Sequence, residues 1–214
     1  MNLSTKGIPK KGLPKGFVYI DDLIPDCIID AKYFGTDNFM GRRAEGYNQP
    51  LVVMTQEAAD CCVKAAEILR GQGYIMKIYD AFRPQRAVDD FIRWGADVED
   101  QRRKPVHYPN VEKAAMFDLG YIARKSGHSR GSSVDLTIVD LKTHQELDMG
   151  SIFDFMDVRS HPGAAGLTEQ QERNRKILSD AMCSCGFVPY ECEWWHFNLA
   201  TEPYPDTYFD FPIE

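Results

Sequence analysis

At 214 residues, with a formal net charge of −7, 43% hydrophobic residues and 27% charged residues, the chain has the composition of an acidic globular protein. It is long enough to bury roughly 70% of the surface its unfolded form would expose, within one domain. The acidic balance, and the lack of any Lys/Arg stripe interleaved with aromatics, excludes nucleic acid as an expected partner. The longest apolar stretches fall far short of the ~20 residues a membrane-spanning helix needs, which argues against a membrane role.

Residues 1–16 carry Lys6, Lys10, Lys11 and Lys15 among Gly and Pro. No apolar run of about 7–15 residues follows, so the segment reads as an irregular arm rather than a signal peptide. The domain proper is expected over 17–214 and is placed in the cytoplasm, with the periplasm as the alternative if a leader has been removed. A first strand is expected near Phe17. Over 55–70, Ala58, Ala59, Cys62, Val63, Ala66 and Leu69 recur at helical spacing, Thr55 offers a cap, and Gly71 and Gly73 end the run. A strand is expected over 74–82, and Pro84 opens a helix that continues to about Trp94. Residues 95–112 read as a solvated loop or short helix carrying Arg102, Arg103 and Lys104.

Alternation around Val134, Leu136 and Ile138 predicts a strand over 132–141. Thr168 followed by Gln171 fits a capping box, with Ile177, Leu178, Ala181 and Met182 as the buried face and Gly186 as the stop. Strand follows over 187–199. Helices and strands are mixed without regular βαβ alternation, which gives an α+β class: a single domain with a central, mainly antiparallel sheet and flanking helices. The six cysteines are read as free thiols. Cys183 and Cys185 form a Cys-x-Cys pair with no second pair at a zinc-finger spacing, and without a Cys-x-x-Cys motif a thiol-redox protein is disfavoured.

Chemistry concentrates in two segments. One runs from Ser126 through His128 and Gly131 to Asp135, and the other from Glu193 to His196. Together they supply two imidazoles and two carboxylates. Two His and one carboxylate are an established catalytic zinc set with a fourth position left open, and a nearby carboxylate can act as base toward a water that zinc has acidified. His128 and Asp135 are seven residues apart and would lie on opposite faces of a straight strand. The chain is therefore expected to bend at 129–132. Glu193 and His196, three apart, call for a bulge, strand end or turn. Trp194 and Trp195 are candidates either to wall the site or simply to pack in the core. His107, His144 and His161 are expected at the surface or behind the ligands, with His161 the nearest to function.

These residues resemble the D-Ala-D-Ala dipeptidase family within the wider DD-peptidase and Hedgehog-like fold group. The family pattern Ser-x-His-x-x-Gly-x-Ala-x-Asp is met except that Ser133 stands where Ala is usual. The likeness extends through Lys32 and Tyr33, Asn38 to Gly41, Asp80 to Gln85, Met149 and Gly150, Phe153 and Asp154, and Arg159 to His161. The resemblance implies one Zn2+ held by His128, Asp135 and His196, with Glu193 as general base and Arg83 stabilising the oxyanion. The last role also suits a cation that cannot lose its proton. A free dipeptide substrate carries an ammonium, for which Asp154 is the candidate partner, while Tyr33 and Ser126 are candidates for hydrogen bonds to substrate. The implied reaction is hydrolysis of the D-alanyl-D-alanine dipeptide to two D-alanines, in glycopeptide resistance or in recovery of D-alanine from cell-wall turnover. The alternatives are a D,D-carboxypeptidase or peptidoglycan peptidase, and a zinc-binding module without turnover.

Overall fold

The computed structural model describes Thr5 and residues 7–214; residues 1–4 and 6 of the expected arm lie outside it. In chain order the elements are β1 (Phe17–Tyr19), α1 (Ile20–Leu23), β2 (Ile28–Ile29), β3 (Val53–Thr55), α2 (Gln56–Gly71), β4 (Tyr74–Asp80), α3 (Gln85–Ala96) and α4 (Lys104–His107). They are followed by β5 (Ser133–Asp140), α5 (Glu169–Ser184), β6 (Phe187–Tyr190) and β7 (Glu193–Leu199). The main sheet has the order β2-β4-β5-β7-β6. Only the short β2 runs parallel to its neighbour, and all other pairings in this sheet are antiparallel. A separate ribbon pairs β1 with β3. The α+β class with a mainly antiparallel sheet is what the structure shows.

Position in the sheet explains the residues each strand carries. β5 is central, and its residues 133–139 are all buried, so Val134, Leu136 and Ile138 fill one face while the other is covered as well. β6 is an edge strand, which accommodates Pro189 because an edge position does not require every N–H. α2 buries Ala58, Ala59, Cys62, Ala65, Ala66 and Leu69, the stripe expected of it with Ala65 added and Val63 only half-buried. It packs against α5 and β4.

The ends of two helices differ in how they are capped. At α5 both halves of the capping box form: Gln171 N donates to Thr168 Oγ1 at 3.2 Å, and Thr168 N donates to Gln171 Oε1 at 3.0 Å. At α2, Thr55 occupies the cap position without a side-chain cap bond. Its hydroxyl instead pairs with Ser132 Oγ at 2.8 Å, tying the β1–β3 ribbon to the start of β5. Pro84 stands at the cap of α3 rather than its first turn.

Arg103 also departs from expectation. It is half-buried and reaches Asn38 O at 3.0 Å, Asp37 Oδ1 at 3.0 Å and His107 Nε2 at 2.8 Å, anchoring the 95–112 loop. All six cysteines are free thiols.

Candidate active site

Three adjacent strands bring chemistry to one row. In the register of the sheet, Asp135 of β5 lies opposite Asp80 of β4 on one side and His196 of β7 on the other. Directly opposed residues share a face with Cβ atoms about 5 Å apart, so these three side chains meet. Just before β5 the chain makes a 3-10 turn (Gly127–Arg130), started by Ser126 Oγ accepting from His128 N at 3.3 Å and ended by Gly131 at φ 82°. This is the bend the seven-residue spacing requires, and it hangs His128 over the row.

The result is a cluster of three ligand-type atoms. His196 Nδ1 lies 3.0 Å from Asp135 Oδ1 and 3.0 Å from His128 Nε2, which is itself 3.2 Å from Asp135 Oδ2. Each ring has its other nitrogen occupied. His128 Nδ1 donates to the Ala81 carbonyl at 2.6 Å, and His196 Nε2 donates to Asn198 Oδ1 at 3.0 Å. Both imidazoles are thus held in the tautomer that turns a lone pair inward. Ligands about 2.0–2.1 Å from a tetrahedral zinc are about 3.3 Å from one another, so the donor set and its spacing fit such an ion. Asn198 Oδ1 also accepts from Ser133 Oγ at 2.6 Å, so the serine that departs from the family pattern supports the group that orients His196.

Glu193 opens β7 where the pairing with β6 slips: Pro189 faces Phe197, yet Tyr190 faces Glu193. The slip lets Glu193 reach the same cleft as His196, with Oε2 3.8 Å from His196 Nδ1. Burial, together with the Asp135 charge, pushes its carboxyl up to about 7 against the opposing pull of His196 and Arg83. Burial also works against the charge of Asp135, but His128 and His196 outweigh it and hold that carboxyl well below the usual range. Burial pulls His128 down to about 4.

Arg83 follows three residues after β4, its side chain 12% exposed. Its Nε donates to Asp80 Oδ2 at 2.9 Å and its guanidinium sits 4.9 Å from the Tyr33 ring centroid and 5.1 Å from that of Phe91. Asp154 is buried and adopts φ 58°, a left-handed conformation unusual outside glycine. Both its carboxylate oxygens lie 3.1 Å from Tyr33 Oη. Burial raises its carboxyl well above normal, and the nearby Asp135 and Glu193 charges add to the effect. Tyr33, Arg83, Ser126, His128, Asp154 and Glu193 all line one cleft of about 430 Å³, as do Asp135 and His196. That size suits a small ligand.

Around the cleft the open readings divide. Trp194 and Trp195 do not line this cleft. Trp195 packs on Phe153 with centroids 5.4 Å apart, and Trp194 Nε1 donates to Ser151 Oγ at 2.9 Å. The walls come instead from Phe39, Phe91, Tyr121 and Tyr190. His161 touches the cleft only through Tyr121, with Nε2 3.5 Å from its hydroxyl.

Sequence reasoning passed over Asn198, Tyr47 and the 120–125 segment, while His107, expected at the surface or behind the ligands, is buried against the Asp154 carbonyl. Asn198 had a signal, since a polar residue two beyond His196 in a strand shares its face. Tyr47, which holds Asp80, had none.

An α+β fold with a buried His-Asp-His cluster beside a carboxylate and a fixed arginine has the makings of a hydrolytic centre. The sequence profile of the D-ala-D-ala dipeptidase family of M15 peptidases matches residues 14–214, and the chain belongs to that family. Among its relatives are D-alanyl-D-alanine dipeptidases of Enterococcus faecium (44% identical over 93% of this chain and 98% of that one), Streptomyces coelicolor (45%, over 92% and 98%) and Enterococcus faecalis (42%, over 94% and 100%). Among solved structures, an LD-carboxypeptidase is 18% identical over 91% of this chain and 72% of its own, with a TM-score of 0.45.

Proposed function

We propose that this protein is a zinc-dependent dipeptidase that hydrolyses D-alanyl-D-alanine to two D-alanines. The observation that carries the reading is the convergence of His128 Nε2, Asp135 and His196 Nδ1, each ring anchored from behind, on a cleft that also holds Glu193 and Arg83. Relatives over nearly full length that bear the dipeptidase name support the substrate.

In this reading His128, Asp135 and His196 hold the ion, which supplies Lewis acidity toward water and the peptide carbonyl. Glu193 takes a proton from the attacking water as its oxygen bonds to the carbonyl carbon. It then delivers that proton to the leaving amine as the C–N bond breaks. A carboxyl shifted toward neutrality by burial is matched to both halves of this task. Arg83, fixed by Asp80 and clasped by two rings, presents a permanent charge to the developing oxyanion. Asp154 receives the substrate ammonium, which restores a charge partner to a buried carboxylate, and Tyr33 and Ser126 supply hydrogen bonds.

The test is release of D-alanine from D-Ala-D-Ala by the zinc-loaded protein, with Glu193→Ala and a pentapeptide ending in D-Ala-D-Ala run in parallel. Release from the dipeptide alone, lost in the variant while zinc stays bound, supports the reading. Cleavage of the pentapeptide would move the activity to a carboxypeptidase, and bound zinc without turnover would leave a binding module.

A further inference from the structure

Three cations line the cleft, and two are already neutralised. Arg83 is bound to Asp80, with its NH2 group 3.5 Å from Asp135 Oδ2. Arg130 is clamped by Glu202, Nε and NH2 each 2.6 Å from one carboxylate oxygen. Lys125 differs. It is exposed, it lines the same cleft, and among the described residues no carboxylate lies within ion-pair distance of it. Its Nζ stands 5.2 Å from the centroid of the Tyr208 ring, whose face also receives the Arg130 guanidinium at 5.8 Å. The ammonium thus rests against an aromatic face and is left without a counter-ion.

The acids divide in the same way. Asp135 is engaged by His128 and His196, Glu202 by Arg130, and Glu193 approaches His196. Asp154 has only the Tyr33 hydroxyl, and no cation within ion-pair distance among the described residues. Asp154 lies among Tyr33, Arg83, Asp135 and Glu193, whereas Lys125 rests against Tyr208. The cleft therefore keeps one uncommitted acid and one uncommitted base in separate surroundings, the charge pattern of a zwitterion's receptor. A chain of net charge −7 also repels an anionic terminus overall, so a free cation at the mouth matters for capturing one.

We infer that Lys125 binds the terminal carboxylate of the substrate and sets a preference for a free over a blocked C-terminus, a reading that rests on the dipeptidase function proposed above. Lys125 is exposed and keeps its solvent, so its contribution falls on capture rather than on chemistry. Its tether to Tyr208 limits how far it must be ordered when the carboxylate arrives.

The experiment measures kcat and KM for D-Ala-D-Ala and for its C-terminal amide with wild type, Lys125→Met and Lys125→Arg. The inference expects Lys125→Met to raise KM for the free dipeptide about 5–10-fold with kcat within about twofold, to change KM for the amide by less than about twofold, and Lys125→Arg to restore most of the loss. Equal shifts for both substrates, no shift for the free dipeptide, or a fall in kcat alone would overturn it. If the wild type turns over neither substrate, the dipeptidase reading falls first. Calorimetric titration of the free and amidated peptides into wild type and Lys125→Met then decides the Lys125 assignment, since a selective loss for the free peptide supports it and its absence overturns it.

Discussion

Arg83 and Asp80 form a two-donor contact on a single oxygen: Nε and NH2 of the arginine each lie 2.9 Å from Asp80 Oδ2, while Tyr47 Oη donates to Oδ1 at 2.7 Å. Asp80 is buried, and burial with the Asp135 charge pushes its carboxyl up to about 7 against the pull of Arg83 and Tyr47. The arginine thus opposes the protonation that burial favours, and the aspartate fixes the arginine.

Replacing either member separates these contributions. Arg83→Ala is expected to lower kcat for the dipeptide by about 100–1000-fold, the usual loss when an oxyanion donor is removed. Asp80→Asn keeps the shape but frees the guanidinium, and is expected to lower kcat by roughly 10–100-fold with zinc stoichiometry unchanged. Steady-state kinetics beside metal analysis checks both, and an Asp80→Asn enzyme with full kcat would show that Arg83 needs no anchor.

Asn198 holds His196 in its inward-facing tautomer. Asn198→Ala is expected to weaken zinc binding about 10–100-fold, as is usual when the hydrogen-bond partner of a ligating imidazole is lost. Competition against a chromogenic chelator reads this directly, without reference to turnover. Unchanged affinity would mean that packing alone orients the ring.

Gly131 ends the turn that separates His128 from Asp135. Its φ of 82°, and the 2.4 Å that would separate an added Cβ from Phe17 Cε1, leave no room for a side chain. Gly131→Ala is expected to cost at least about 2 kcal/mol in stability and to weaken zinc binding by displacing His128. Urea denaturation and chelator competition test the two effects, and a variant as stable as wild type would place the strain elsewhere.

His107 is buried, with Nδ1 3.2 Å from the Asp154 carbonyl and Arg103 donating to Nε2. Burial pulls it down to about 4, below its ordinary 6.5. Between these values the unfolded chain takes up a proton that the folded chain does not, so the histidine's contribution is intact above pH 6.5 and is lost as pH falls toward 4. The stability gap between wild type and His107→Gln is expected to narrow by roughly 3 kcal/mol over that range. Denaturation curves at pH 7, 5 and 4 measure it, and parallel pH profiles would refute it.

The sequence alone determined a good deal here, because certain features are written locally. Helical spacing of small apolar residues marks α2, the Thr168–Gln171 box marks the start of α5, and alternation marks β5. The Ser126–Asp135 and Glu193–His196 segments announced their chemistry by residue type, and their odd spacings required the turn at Gly127–Arg130 and the slip at the start of β7. Only the tertiary structure decided what surrounds them. Strand register put Asp80 and His196 on either side of Asp135. It also sent Trp195 into the core, while Tyr121 and Tyr190 became walls, and it made Asn198 the partner of both Ser133 and His196. Local pattern reports the period of one segment, whereas the partners of a buried polar group are set by which strands lie side by side and by the slips between them, and these join residues far apart in the chain, as Asp80 with Asp135 and Asp135 with His196.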